Sequence, residues 1–124
     1  MISIVDDDEA VREATKRLVR SLGYSAATFS SAEEFLHSDS VKETSCLITD
    51  VRMPGMNGVE LQERLNADGR VTKVIFMTGF SEERVRAHAL KAGAIGFLKK
   101  PFDDACLIEC LDRALGSDSC QSPE

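Results

Sequence analysis

Four short stretches of the chain end in side chains that could do chemistry together. Asp6-Asp7-Asp8 follow ISIV, Asp50 follows LIT, Thr78 follows VIFM, and Lys99-Lys100 follow GFL just before Pro101. Carboxylates crowded into one place repel and raise one another's pKa while the site is empty. A hard divalent cation such as magnesium relieves that crowding, because it takes oxygen ligands in octahedral geometry and keeps part of its water shell. Phosphoryl transfer to a carboxylate needs the same neutralisation, together with groups that take up charge on the three equatorial oxygens. On this reading Asp50 is the nucleophile, as carboxylates are in aspartyl-phosphate enzymes, and magnesium, the Lys100 ammonium and the Thr78 hydroxyl serve the oxygens. Each piece alone has an ordinary explanation: an acidic triplet suits a helix start, a threonine before Gly79 opens a turn, and a lysine before proline is commonly a surface residue. The joint placement at four strand ends carries the inference.

The elements that must position these residues alternate along the chain. Ile2–Val5 is a short apolar run that suits a strand covered on both faces. Val11, Ala14, Leu18 and Leu22 keep helical spacing over Glu9–Leu22, and Gly23 ends that helix as a left-handed cap. Tyr24–Phe29 reads as a second strand. Ser31 with Glu34 gives a capping-box pattern that opens a short helix toward His37. Cys46–Thr49 is the third strand; Val59, Leu61, Gln62 and Leu65 belong to a helix that Gly58 begins and Asp68-Gly69 closes. Val74–Met77 is the fourth strand. Ser81, Glu82 and Glu83 open a helix with Val85, Ala89 and Ala92 on its inner side, stopped by Gly93. Ile95–Leu98 is the fifth strand, and Asp103 starts a last helix with Ile108, Leu111 and Leu115 facing inward. Five β–α units with short connections predict a parallel sheet covered on both sides, and ligands of such sheets bind outside the carboxyl ends of the strands. Residues 1–116 form one domain; the polar run SDSCQSPE, Ser117–Glu124, reads as a tail or the start of a linker.

At 124 residues, with 43% hydrophobic and 29% charged residues, the chain supports a single domain with a real core. Its net charge of −6 makes it a poor nucleic-acid binder by itself. No stretch has the length of a membrane span and no signal-peptide pattern opens the chain, so a cytoplasmic location is expected. Cys46, Cys106, Cys110 and Cys120 form no C-x-x-C, and His37 and His88 read as solvent-facing rather than as metal ligands. Cys106 and Cys110, one helical turn apart, read as small residues on a helix face.

IVDDD, ITDVRMPGMNG, MTG and GFLKKPF, in that order and spacing, resemble the receiver domain of bacterial two-component response regulators over Ile2–Leu115, most closely the receivers of FixJ-type transcriptional regulators. The resemblance implies a flavodoxin-like (CheY-like) doubly wound sheet of five parallel strands, order 2-1-3-4-5, with five helices. It implies that Asp50 is the phosphoacceptor, Asp7 a direct metal ligand, Asp6 a ligand partly through water, and the Arg52 main-chain carbonyl a further ligand. The metal that the resemblance implies is magnesium, with manganese as a substitute. Thr78 resembles the switch hydroxyl and Lys100 the phosphate-pairing lysine, its bond to Pro101 often cis in the family. Phe97 holds the partner aromatic position that is tyrosine in many relatives, so its change of state rests on ring packing alone.

The implied partner is a histidine kinase that supplies phosphohistidine, docking by family analogy on the first helix with Arg12, Thr15, Lys16 and Arg20. The receiver itself catalyses the uptake and later loss of the phosphoryl group and is not a conventional enzyme. Its output face, formed by the fourth helix, fifth strand and fifth helix, offers Arg84, Arg86, His88, Leu90, Lys91, Lys99 and Asp112 to a homodimer mate or an output module. Transcriptional output would run through a DNA-binding domain absent from these 124 residues; the alternatives are a stand-alone receiver that signals by protein contacts and a pseudo-receiver that takes no phosphate. A flavin carrier would need a glycine- and hydroxyl-rich loop where Asp6–Asp8 stand, and an aspartate phosphatase would carry a second acid where Arg52 stands.

Overall fold

In the computed structural model, which describes residues 1–70, 72–79, 83–100 and 103–116, strands and helices alternate from the first residues onward. The order is β1 (Ile2–Val5), α1 (Glu9–Ser21), β2 (Ala26–Phe29), α2 (Ala32–Leu36), α3 (Ser40–Glu43), β3 (Cys46–Asp50), α4 (Gly58–Ala67), β4 (Lys73–Thr78), α5 (Glu83–Lys91), β5 (Gly96–Lys99) and α6 (Asp104–Leu111), the last running into a π-helical turn, Asp112–Gly116. The sheet is parallel, in the order β2-β1-β3-β4-β5, as expected. The order reverses between β1 and β3, and that switch point sets Val5 beside Thr49, one residue before Asp6 and Asp50.

The continuous apolar runs of the strands follow from two covered faces, because successive side chains point to opposite sides. Leu47, Val74 and Phe76 enter a core with Phe35, Leu61, Leu65 and Ala89. Ile48, Ile75 and Met77 enter the other, with Val19, Leu107, Cys110 and Leu111. Local capping fixes where helices begin. The Asp8 carboxylate accepts from the N–H groups of Ala10 and Val11 at α1, and Asn57 and Glu60 close a reciprocal capping box at α4, each worth about 1 kcal/mol. Gly23, with φ +97°, supplies the left-handed residue after α1.

Several expectations shift. Six helices are described rather than five: the segment expected to give one short helix stops at Leu36, and α3 follows. The Ser38 hydroxyl donates to the Phe35 carbonyl and accepts from the Ser40 N–H, so local side-chain bonds break the run. On α1, Thr15 and Val19 are buried and the expected Val11 and Leu18 pack half-buried against the core, whereas Ala14 is exposed and Leu22 caps the helix at 38% exposure. On α6, Leu107, Cys110 and Leu111 are buried and Ile108 only half so. Cys110 lies so close to β5 that a Cβ on Gly96 would stand 2.5 Å from its Sγ. Val71, Ser81, Glu82, Pro101 with the isomer of its bond to Lys100, and residues 117–124 including Cys120 lie outside the described residues.

The helix after the candidate nucleophile is fastened to its neighbour. Gln62 Nε2 donates to the Ala89 carbonyl and Asn66 Nδ2 to the Ala92 carbonyl, each at 3.2 Å, while His88 and Glu63 meet at 3.1 Å on the surface.

Candidate functional site

Four strand ends converge at one rim. Asp6 leaves β1, Asp50 ends β3, Thr78 ends β4 and Lys100 follows β5. Asp6 is wholly buried, Asp50 is 8% exposed and Thr78 is 1% exposed, while Asp7 is exposed. Asp6, Asp7 and Asp50 each bring a carboxylate oxygen within 4.8 Å of the other two. Into this acid cluster the Lys100 ammonium reaches, donating to Asp6 Oδ2 at 2.9 Å and Asp50 Oδ2 at 3.0 Å.

Backbone bonds fix these side chains. Val51 N–H donates to the Met77 carbonyl and Asp6 N–H to the Phe29 carbonyl, each at 3.1 Å, tying the ends of β3 and β1 to their neighbours. The Lys100 N–H donates to the Thr78 carbonyl at 2.6 Å, so the lysine and the hydroxyl residue travel together. The acidic triplet divides its labour: Asp8 caps α1, and its own N–H donates to Asp6 Oδ1 at 2.9 Å. Arg12, expected only on a docking surface, turns its guanidinium to the Asp6 carbonyl at 2.7 Å. After Asp50 the chain bends; Arg52 N–H donates to Asp50 Oδ1 at 3.3 Å and Gly58 N–H to the Val51 carbonyl at 2.9 Å. A side chain on Gly58 would stand 3.1 Å from the Asp50 carbonyl carbon and 3.2 Å from Phe76 Cε1, so only glycine lets α4 begin there.

On Asp6, burial weighs more than crowding. Burial is the first cause that raises the Asp6 pKa; the Asp8 N–H, then the Lys100 bond and charge, pull it back, and Asp50 adds the smallest increment. The expected repulsion is present, since Asp50 raises the Asp6 pKa, but it is the smallest of the causes. For Lys100 burial acts downward, but the hydrogen bonds and charges of Asp6 and Asp50 outweigh it and raise the pKa. The donor set, carboxylates with no sulfur or imidazole, suits a hard dication.

The remaining expected residues fall nearby. Phe97 lies half-buried with its ring centroid 5.9 Å from that of Phe76, tilted by 41°. Arg86, Lys91, Lys99 and Asp112 are exposed and Leu90 half-buried. Arg84 and His88, also exposed, line a groove of about 510 Å³ with Val51, Arg52, Met53 and Val59. Thr15 is 4% exposed, its hydroxyl bonded to the Val11 carbonyl, so it presents nothing to a partner; this corrects its expected place on the docking side. Glu33 is the residue that sequence reasoning missed: its carboxylate accepts from the Met56 N–H at 2.9 Å across 23 residues, a tertiary contact that no local pattern announces.

A doubly wound sheet with an acid cluster and a lysine at its switch point defines a class of domain. The chain belongs to the response regulator receiver domain family, whose model matches residues 2–112. It is 43% identical over 115 residues to the transcriptional regulatory protein FixJ of Azorhizobium caulinodans, covering 93% of this chain and 54% of that protein. The structure of the response regulator StyR superposes with a TM-score of 0.86 at 38% identity, over 98% of this chain and 61% of that one. The FixJ-N crystal structure gives 0.81 at 36%, over 91% and 90%. The chain spans about half the length of the curated relatives it matches. It is thus a receiver domain related to the response regulators of two-component systems, and among the described residues no helix is long and apolar enough to cross a membrane.

Proposed function

We propose that Asp50 takes a phosphoryl group from the phosphohistidine of a partner histidine kinase and that the resulting charge resets the α5-β5-α6 face. The observation that carries this reading is the Lys100 ammonium bridging Asp6 and Asp50 inside the three-carboxylate cluster. Asp7, Asp50, the Arg52 carbonyl and, through water, Asp6 would hold magnesium or manganese, which when bound cancels acid charge and draws phosphoryl oxygen toward the site.

An Asp50 oxygen attacks phosphorus as the P–N bond to the imidazole breaks, the electron pair leaving on that nitrogen, which then takes a proton from water. Lys100 exchanges a carboxylate for a phosphoryl oxygen, and its ammonium offsets the new charge. The Thr78 hydroxyl turns to donate to a second oxygen. The space it leaves accepts the Phe97 ring, whose contact with Phe76 is the packing that changes. Loss of the group to water follows in the same site.

Residues 1–116 act as the receiver in the cytoplasm, with 117–124 a tail or linker. The kinase docks against exposed Arg17 and Arg20 and half-buried Lys16 of α1. Arg86, Lys91, Lys99 and Asp112 meet a second copy or an output module, and DNA is reached through an output domain like that implied by the name of the FixJ relative. Incubation with acetyl phosphate and magnesium tests the chemistry. Wild type should gain one phosphoryl group, and Asp50→Asn should gain none while staying folded with little loss of stability. Labelling that persists in Asp50→Asn would overturn the assignment.

A further inference from the structure

We infer that Glu33 is a positioning residue of the phosphoacceptor site: its carboxylate, reaching from α2 to the Met56 N–H, holds the bend between β3 and α4 that carries Arg52, whose N–H donates to Asp50 Oδ1. The inference rests on the reading of Asp50 given above and adds to it a residue from outside the four strand ends.

The bend runs from Val51 to Asn57. Its two feet are secured by the bonds of Val51 to Met77 and of Gly58 to Val51, and by the Asn57–Glu60 capping box. Its crown needs a support from elsewhere, and Glu33 supplies one: Oε2 lies 2.9 Å from the Met56 nitrogen. The carboxylate packs directly over Gly55, where a Cβ would stand 2.7 Å from Oε2, and Gly55 itself has φ +79°. The backbone angle is what calls for glycine at that position, and the carboxylate lies against it. The bond is made by an ionised carboxylate: the Met56 N–H is the first cause that lowers the Glu33 pKa.

The acid is presented from a firm base. Ala32 and Phe35, which flank it on α2, are fully buried. The Phe35 ring meets that of Phe29 edge to face at 5.3 Å, and Ser31 caps the helix through the Glu34 N–H. A charge-assisted bond from a fixed helix to a backbone N–H constrains a loop more than a solvent-facing acid would. Outer residues that orient ligands commonly change metal affinity by about tenfold or more when removed.

The test compares Glu33→Ala and Glu33→Gln with wild type in the full chain. Glutamine keeps a side-chain oxygen that can accept from Met56 and removes only the charge. Two quantities are read: the magnesium dissociation constant by titration calorimetry, and hydrogen exchange of the Met56 amide in metal-free buffer by NMR. Glu33→Ala should weaken magnesium about tenfold and speed Met56 exchange by a similar factor, and Glu33→Gln, whose neutral bond is weaker, should restore part of both. Unchanged affinity and exchange in Glu33→Ala overturns the inference. Equal loss in Glu33→Gln also overturns it, since charge rather than the bond would then be acting. The two readings fail separately. A wild type that takes no phosphoryl group sinks the assignment of Asp50, while the Met56 exchange still decides whether the clamp exists.

Discussion

Gly58→Ala adds one methyl group where α4 leaves the bend after Asp50, and the structure sets its consequence. The new carbon would stand 3.1 Å from the Asp50 carbonyl carbon and 3.2 Å from Phe76 Cε1, and would meet the Asp50 carbonyl oxygen closer still. Optimal carbon contacts lie near 3.5–4.0 Å, so the helix start must withdraw by roughly 1 Å. Neither neighbour yields easily, since Asp50 is paired within the sheet and Phe76 is fully buried. Overpacking of this kind costs about 1–3 kcal/mol. Loss of the Gly58 N–H bond to the Val51 carbonyl adds about 1 kcal/mol, and the better helix propensity of alanine returns about 1 kcal/mol. The expected net loss is about 2 kcal/mol, read in urea as a lower midpoint at unchanged slope. The same withdrawal drags the Asp50 backbone, and a misplacement of about 1 Å can cost up to about a hundredfold in rate. Acetyl-phosphate labelling of the folded variant should therefore slow at least tenfold. A Gly58→Ala protein that unfolds at or above the wild-type midpoint and labels at the wild-type rate would refute the reasoning.

Burial holds the Asp6 pKa above its ordinary 3.8, so this group's contribution favours the fold below that value and is lost as pH rises through the folded-state value. In EDTA, Asp6→Asn should gain stability over wild type as pH climbs through that window and not below it; a gap independent of pH in urea titrations would count against the assignment. Asp7→Ala removes an exposed carboxylate, so stability should change by less than about 0.5 kcal/mol while magnesium affinity falls about tenfold; unchanged affinity by calorimetry would remove Asp7 from the ligand set. Cys106 is exposed and Cys46 and Cys110 are buried, with the Cys46 thiol pushed up to about 12, first by burial. Iodoacetamide at pH 8 should thus alkylate Cys106 at least about tenfold faster than the other two, as peptide mass mapping would show.

The parallel sheet and the acids at the strand tips were legible in the sequence because both rest on strong, short-range signals, whereas the strand order came only through the family resemblance. Ile2–Val5 and Cys46–Asp50 are apolar runs buried along their whole length, and a strand that ends in a lone acid marks its own tip. Helix faces were read less well where an apolar residue lay at an end or a polar one found an internal partner. Leu22 became a cap, and Thr15 went inward because its hydroxyl bonds back to Val11. That Lys100 pairs directly with Asp6 was hidden for a different reason: the two stand 2.9 Å apart in space but 94 residues apart in the chain. Glu33 and Arg12 were invisible as site residues on the same ground: each meets the site through a backbone group of another segment, and backbone groups have no letter in the sequence.

Gln62 and Asn66 fasten α5 to α4 at Ala89 and Ala92, toward the carboxyl end of the nine-residue α5. A rod pinned near one end pivots there. Glu83, at the far end, stands about 9 Å from Ala89 along the axis, so a tilt of about 10° sweeps it through about 1.5 Å. Little movement at the fulcrum becomes a displacement at the tip large enough for another molecule to feel, and the two carboxamides decide where along the rod that leverage is greatest.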